Sequence, residues 1–352
     1  MPATTITGRE AHSTTHLVYG PPSWLLLLAA AAYNLLAGFE GGGNLMASLV
    51  AARAFTLLGA ALVLFVGAAL GPWLVGTAVA HAIVFSVVAL PRLGPTVFFG
   101  GVVGAVITLG VCWARSLPTS TSLALIGALA GAGLIAAGPQ GVEWSQIWKV
   151  FAGMLAALGM GAAGGLLAWA GVRTMLQHAG ERIPSALRGL QAVTGLLQGF
   201  GYGSNDAGKA MGLFALIGAW RASGGPQTLA TGHLAVPAWA VWAAIGTFGL
   251  GMAVGGARVA HTVGHGLYPV RAGDALAAQL AAGVTVIAAS SWGAPVSSTQ
   301  TATAALIAAG AARRLSLPRW SLVRQMGLTW AITLPLALVC GAMLTAAVRA
   351  LV

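Results

Sequence analysis

The chain is a series of apolar runs separated by glycine, proline and small polar residues. The runs occupy about 22–38, 54–71, 73–90, 95–114, 121–138, 146–170, 189–200, 210–220, 237–256, 275–292, 301–312 and 326–348. A helix needs roughly 20 apolar residues to cross a hydrocarbon layer, and most runs approach that length. Helix is the reading for each, because a segment inside a bilayer must satisfy its own backbone polar groups. Breaks at Gly41–Gly42–Gly43, Leu117–Pro118, Gly201–Tyr202–Gly203 and Ala294–Pro295 leave several runs too short to span. Interrupted helices at membrane depth are tolerated where they are buried in protein or line a cavity, and in transporters they mark the substrate site. The pattern predicts an all-α polytopic membrane protein with broken helices and paired re-entrant-type hairpins.

Three landmarks recur in one order. Asn44 sits in Gly42–Gly43–Asn44–Leu45, and Asn205 in Gly203–Ser204–Asn205–Asp206, 161 residues later. Pro118 in Leu117–Pro118–Thr119–Ser120 matches Pro295 in Ala294–Pro295–Val296–Ser297 at 177, and Trp144–Ser145 matches Trp320–Ser321 at 176. This divides the chain into a polar N-terminal tail (1–20), a first membrane repeat (21–174), a basic linker (175–188) and a second membrane repeat (189–352). The loop 138–144 carries Glu143 and no base, whereas its counterpart 310–319 carries Arg313, Arg314 and Arg319. Basic loops stay cytoplasmic, so equivalent loops face opposite sides, as two inverted-topology repeats require. The linker, with Arg182 and Arg188, reads as cytoplasmic too.

Composition narrows the class. Of the 352 residues 58% are hydrophobic and only 7% charged, against about 25% charged in globular chains; mean hydropathy is +0.86. Too few charges exist to cover a water-facing surface, which excludes a soluble enzyme, a secreted disulfide scaffold and a nucleic-acid-binding domain. The formal net charge of +11 reflects topology-setting loops, since no Lys/Arg cluster is interleaved with aromatics. Met1–His16 lacks the pattern of a cleavable signal peptide. Cys112 and Cys340 lie inside apolar runs and read as packed thiols. The expected location is the cell membrane, with the lipid bilayer as partner and no nucleic acid.

The candidate chemistry follows the breaks. Thr119, Ser120, Thr121 and Ser122 follow Pro118; Ser297, Ser298 and Thr299 follow Pro295. Proline suits a first helical turn, where free amides and the helix dipole favour an anion. Two such ends facing one another form a cradle for a small tetrahedral oxyanion. A lone hydroxyl run more often bonds its own backbone or a neighbouring helix, but the repeat-equivalent pair favours the site. Of six acids, Glu10, Glu143, Glu181 and Asp274 read as peripheral. Asp206 and Glu40 adjoin the glycine-rich breaks, and an ionisable residue at membrane depth is a functional candidate. Lys209 either pairs with Asp206, supplies fixed positive charge beside an anion, or snorkels. The histidines (His81, His233, His261 and His265 among them) show no metal spacing, and no phosphate loop precedes a Lys-Ser/Thr pair.

These motifs resemble the inorganic phosphate transporter family, which includes phosphate and sulfate permeases. Gly203–Ser204–Asn205–Asp206–Ala207–Gly208–Lys209–Ala210 is similar to its Gly-Ala-Asn-Asp-Val-Ala-Asn-Ala motif. Ser116–Leu117–Pro118–Thr119–Ser120–Thr121–Ser122 and Gly293–Ala294–Pro295–Val296–Ser297–Ser298–Thr299 look like its Gly-Leu-Pro-Val-Ser-Thr hairpin motif. The resemblance implies cation-coupled symport of an inorganic anion, often as a homodimer, with no cofactor beyond a coupling cation, H+ or Na+. It implies anion contacts from Ser120, Thr121, Ser122, Ser297, Ser298 and Thr299, with Asn44, Asn205 and Asp206 completing the anion or coupling-ion site. The departures are Leu45 where the family has Asp, Ser48 where it has its second Asn, Lys209 in place of that Asn in the second motif, and Leu123 and Gln300 where it has a hairpin His. A carboxylate lost and an ammonium gained imply that Lys209 stands in for a bound cation, with coupling to protons or without sodium; Asp206, Lys209 and Glu40 are the coupling candidates. Monohydrogen phosphate can donate a hydrogen bond to Asp206 and sulfate cannot, a preference that pairing with Lys209 would neutralise. Phosphate is thus the expected substrate and sulfate the alternative. A passive anion channel is the reading from another class; an intramembrane enzyme lacks a nucleophile–base pair.

Overall fold

The computed structural model describes residues 20–85, 88, 90–177, 183–223 and 234–351, and among them every regular element is helical. The first half holds α1 (Ser23–Ala37), α2 (Gly43–Ala51), α3 (Leu57–Val75), α4 (Ala78–Phe85), α5 (Leu90–Ala114), α6 (Thr121–Ala137) and α7 (Trp144–Gln177). The second holds α8 (Ile183–Tyr202), α9 (Gly208–Ser223), α10 (Ala238–Gly266), α11 (Ala272–Ser291), α12 (Ser298–Arg313) and α13 (Trp320–Leu351). Among the described residues, eight helical segments are long and apolar enough to cross a membrane, α1 and α2 counting as one. The chain is a multi-pass membrane protein.

The glycine-rich breaks are not unwound. Gly38–Gly42 and Gly203–Ala207 are single π-helical turns that join α1 to α2 and α8 to α9. A π-turn widens the helix while keeping its amides bonded, and such turns recur at functional sites. Neighbours press close on both: a Cβ at Gly38 would collide with the Phe248 carbonyl of α10, and one at Gly203 with the Ala68 carbonyl of α3. The π-turns also correct the expected register. They lie 165 residues apart rather than 161, so Glu40 corresponds to Asn205, Gly41 to Asp206 and Asn44 to Lys209. The carboxylate missing from the first half is therefore at Gly41, not Leu45. Asn44 takes the place of the motif's second Asn, which matching one conspicuous Asn to another had hidden.

The proline breaks are real extended connections, but neither proline opens a helix. Helices α6 and α12 start three residues later, where Ser120 accepts a hydrogen bond from the Leu123 amide at 3.2 Å and Ser297 from the Gln300 amide at 3.4 Å. A capping hydroxyl, more than the proline, sets the first turn. The two helices begin side by side, with Ser122 Oγ donating to the Val296 carbonyl at 2.7 Å, and then diverge along α13. Helix α12 ends at Arg313, just before α13 starts; α13 then passes the first hairpin, with Trp330 Nε1 donating to the Pro118 carbonyl at 3.2 Å. At its far end Arg349 reaches the Ile135 carbonyl at the end of α6, at 2.8 Å. Each hairpin helix packs against the last long helix of the other half, α6 on α13 and α12 on α7.

Glycines permit that clasp. A Cβ at Gly341 would collide with the Ala128 carbonyl, whereas one at Gly159, on the exposed face of α7, would meet nothing within 4 Å. Gly341→Val should lower stability by about 1–3 kcal/mol or more through overpacking. Gly159→Ala should remain within about 1 kcal/mol of the parent, on the stabilising side. Thermal unfolding of the detergent-purified variants reads both.

Candidate functional site

All eleven residues singled out by sequence lie buried, and ten of them converge where the tips of α6 and α12 meet the second π-turn and α2. The π-turn presents Asp206 to both tips. Its Oδ1 accepts from Thr121 Oγ1 at 2.9 Å and from Lys209 Nζ at 2.7 Å, and its Oδ2 accepts from Ser298 Oγ. Lys209 Nζ also donates to Ser122 Oγ at 2.5 Å. A carboxylate thus sits between two helix N-termini, where first-turn amides and dipoles favour negative charge. Lys209 is paired with Asp206 and does not snorkel.

The asparagines hold the tips from the sides. Asn205 Nδ2 donates to the Val296 carbonyl at 2.8 Å and to Ser298 Oγ at 3.3 Å. Asn44 Nδ2 donates to the Thr299 carbonyl at 3.2 Å, and its Oδ1 accepts from Thr303 Oγ1 at 3.1 Å. Asn44 and Lys209, matched by the π-turn register, each bind the opposite half's hairpin one residue into its helix, at Thr299 and Ser122. Ser120 and Ser297 are committed to capping.

Glu40 stands apart from this cluster. One oxygen accepts from the Thr119 amide at 3.3 Å, and the other, Oε1, has no partner. Asn205 Oδ1 is likewise buried without a donor. Two tyrosines were missed: Tyr202 Oη donates to the Ser298 carbonyl at 2.7 Å, and Tyr33 Oη to the Thr121 carbonyl at 3.4 Å. Their signal was rarity, for the chain has only 4 tyrosines, with Tyr202 set between two glycines of a break.

Asp274 corrects its expected peripheral place. It is buried at the start of α11, where it accepts from the Arg271 amide at 3.0 Å, Trp169 Nε1 at 3.0 Å and Arg313 Nη1 at 2.5 Å. It ties α7 and the end of α12 to α11. Nearby, burial and the Asp274 charge raise the Tyr268 phenol, which donates to the Leu306 carbonyl at 2.8 Å. Glu143 is exposed as expected, while Glu10, Glu181 and His233 lie outside the described residues.

The sequence model of the phosphate transporter family matches residues 37–341. A probable low-affinity inorganic phosphate transporter of Rhizobium meliloti is 30% identical over 331 residues, covering 90% of this chain and 94% of the relative. A protein of the same description from Bacillus subtilis is 28% identical over 327 residues, with the same coverage. Among solved structures, one titled the sodium-dependent phosphate transporter shares the fold, with TM-score 0.81 at 18% identity over 93% of this chain and 100% of that one.

Removing one partner of a buried ion pair strands the other charge and costs about 3–5 kcal/mol, whereas removing both is far milder. Lys209→Met should therefore lower unfolding stability by about that amount, and adding Asp206→Asn should recover most of it. Unfolding of the three proteins in one detergent checks this.

Proposed function

Because the chain belongs to the phosphate transporter family, we propose that it is a secondary active transporter, carrying inorganic phosphate across the cell membrane in symport with protons. The anion binds between the tips of α6 and α12, within reach of Thr121, Ser122, Ser298, Thr299, Asn44 and Asn205, with Ser120 and Ser297 fixing the helix starts. The observation that carries this reading is the pair of capped helix N-termini meeting at one buried point. The two halves, 21–174 and 189–352 joined by 175–188, act as inverted repeats around that point, an assignment supported by the diverging α6 and α12 and by the exchanged packing of α7 and α13.

The choice of phosphate rests on Asn205 Oδ1. Its amide orientation is fixed because Nδ2 donates to the Val296 carbonyl, which leaves a buried acceptor without a donor. A protonated phosphate oxygen supplies that donor; sulfate at neutral pH has none. Asp206, already holding Thr121, Ser298 and Lys209, positions the tips and carries no such preference.

Protons as the coupling ion follow from the charges. Lys209 cancels Asp206 within the centre, so that carboxylate offers no net charge to sodium. Glu40 keeps an unpartnered oxygen in a site sealed from water, and an ionised carboxylate left so is costly. It takes up a proton on loading and releases it on the other side. Relatives sharing this fold include one titled sodium-dependent, so sodium is the arm that tests the assignment.

In proteoliposomes, labelled phosphate should accumulate under an inward proton gradient, ignore excess sulfate, and not respond to a sodium gradient alone. Uptake abolished by sulfate would move the substrate, and uptake that merely follows the anion's own gradient would make the protein a channel. Glu40→Gln should lose gradient-driven accumulation yet retain phosphate–phosphate exchange. Lys209→Asn should create sodium dependence or abolish transport; unchanged, sodium-independent uptake would overturn the role given to Lys209.

A further inference from the structure

A cavity of about 820 Å³ opens where the end of α2 meets the starts of α8 and α11, with Arg53 and Arg188 at its wall and Gln191 at its base. From Gln191 a line of polar side chains runs inward on one face of α8, at positions 191, 194, 198 and 202. Those intervals of three and four residues keep one side of a helix, and eleven residues carry the line about 16 Å toward the tips. Gln191 Nε2 donates to the Ala272 carbonyl at 3.0 Å. Thr194 Oγ1 donates to Gln279 Oε1 at 2.7 Å, and Gln279 Nε2 donates to Ser48 Oγ at 2.9 Å. Ser48 lies one turn along α2 from Asn44, and position 202 is the tyrosine that holds Ser298. Both polar lines thus end in the centre.

We propose that this file is the anion's route between the centre and the basic end of the protein, with the Thr194–Gln279–Ser48 bridge as its gate. The proposal rests on the transport reading and adds the path and the gating residues to it. Polar residues in membrane helices also serve as interhelical glue, which the bridge alone would fit. Gln198 does not fit: it is buried, and its Oε1 has no partner. A buried carbonyl left unbonded within a lipid-embedded bundle is costly, and a passing hydrated or protonated anion supplies its donor. The mouth suits an anion, since Arg53 and Arg188 are both exposed there, and a concave wall of one sign concentrates the opposite ion. The bridge joins α2, α8 and α11, so its rupture removes a polar tie among all three at once. Val193, on the same stretch of α8 but 62% exposed, marks the outward face.

The test is cysteine accessibility in full-length protein whose Cys112 and Cys340 are replaced by alanine, reconstituted and labelled with an anionic methanethiosulfonate from either side. Gln191→Cys and Gln198→Cys should react from the basic end only, with the second slowed several-fold by inorganic phosphate. Val193→Cys should not respond to phosphate. Gln279→Leu, which breaks both bonds of the bridge, should speed labelling at position 198 several-fold. Arg53→Gln with Arg188→Gln should raise the KM for phosphate several-fold and flatten its salt dependence while kcat holds. Gln198→Cys that stays unlabelled from the basic end with or without Gln279→Leu, or that labels equally from both sides, overturns the route. The parent's uptake, measured in the same vesicles, judges the transport reading separately: a parent that labels as described but moves no phosphate fails that reading alone.

Discussion

A buried carboxylate and ammonium, Asp206 and Lys209, lie 2.7 Å apart within one helix of a membrane protein, and the arrangement of the two halves turns on how that pair is accommodated. Removing two charges from water costs several kcal/mol per ion, and their attraction repays this only when the remaining hydrogen-bonding capacity is also met. Here both halves contribute to it. Thr121 and Ser122 come from the first hairpin and Ser298 from the second, so neither tip can withdraw without removing a hydrogen bond from the pair. Among the described residues, α8 and α9 are not in the segments long and apolar enough to cross a membrane: α9 has 16 residues, and α8 carries Arg188, Gln191 and Gln198. Helix α8 packs against α3 and α11, and α9 against α4, α10 and α1.

The backbone around the pair is shared by both halves, and the chemistry is not. Each half carries a π-turn clasped by a helix, α10 on the first and α3 on the second, with glycines admitting the approach. At matched positions the first half presents Glu40, Gly41 and Asn44, and the second Asn205, Asp206 and Lys209. Asn44 and Lys209 still perform equivalent tasks, each reaching the opposite hairpin. The divergence falls on charge: the second half carries a neutralised pair, the first a single carboxylate bonded only to the Thr119 amide. On the proposed repeat, one scaffold with its titratable groups redistributed yields a centre that is similar in shape and asymmetric in charge.

Much of this was legible in the order of residues. Apolar runs gave the helices, and the two proline-hydroxyl stretches gave both hairpin tips, because the same kind of polar run follows a proline twice in matching order. What was not legible were relations set by geometry. Two glycine-rich stretches cannot reveal that they form π-turns, and without that the register slipped by one helical turn. Asp274 looked peripheral because its neighbours in sequence are ordinary; its partners, Trp169 and Arg313, lie 105 and 39 residues away. Gln191, Thr194, Gln198 and Gln279 carry no motif, and only the packing of α8 on α11 places them in one file.

On the proposed transport of phosphate through this centre, its charge also constrains what can be carried with the anion. With Asp206 cancelled by Lys209, Glu40 holds the remaining formal charge among the buried acids near the tips. A phosphate monoanion arriving beside an ionised Glu40 would place two uncompensated negative charges in a medium where like charges repel strongly. Protonating Glu40 removes one of them with no change in coordination, since its single bond, to the Thr119 amide, is to an oxygen that accepts in either state. A sodium ion would need several oxygen ligands around that carboxylate, and the one bond Glu40 makes is to a donor. The Thr119 amide opens the stretch that leads into α6, so the one bond Glu40 makes belongs to the same segment that carries Thr121 and Ser122 to the proposed anion site. On the proposed symport, this gives proton and anion a shared element through which the loading of one bears on the binding of the other.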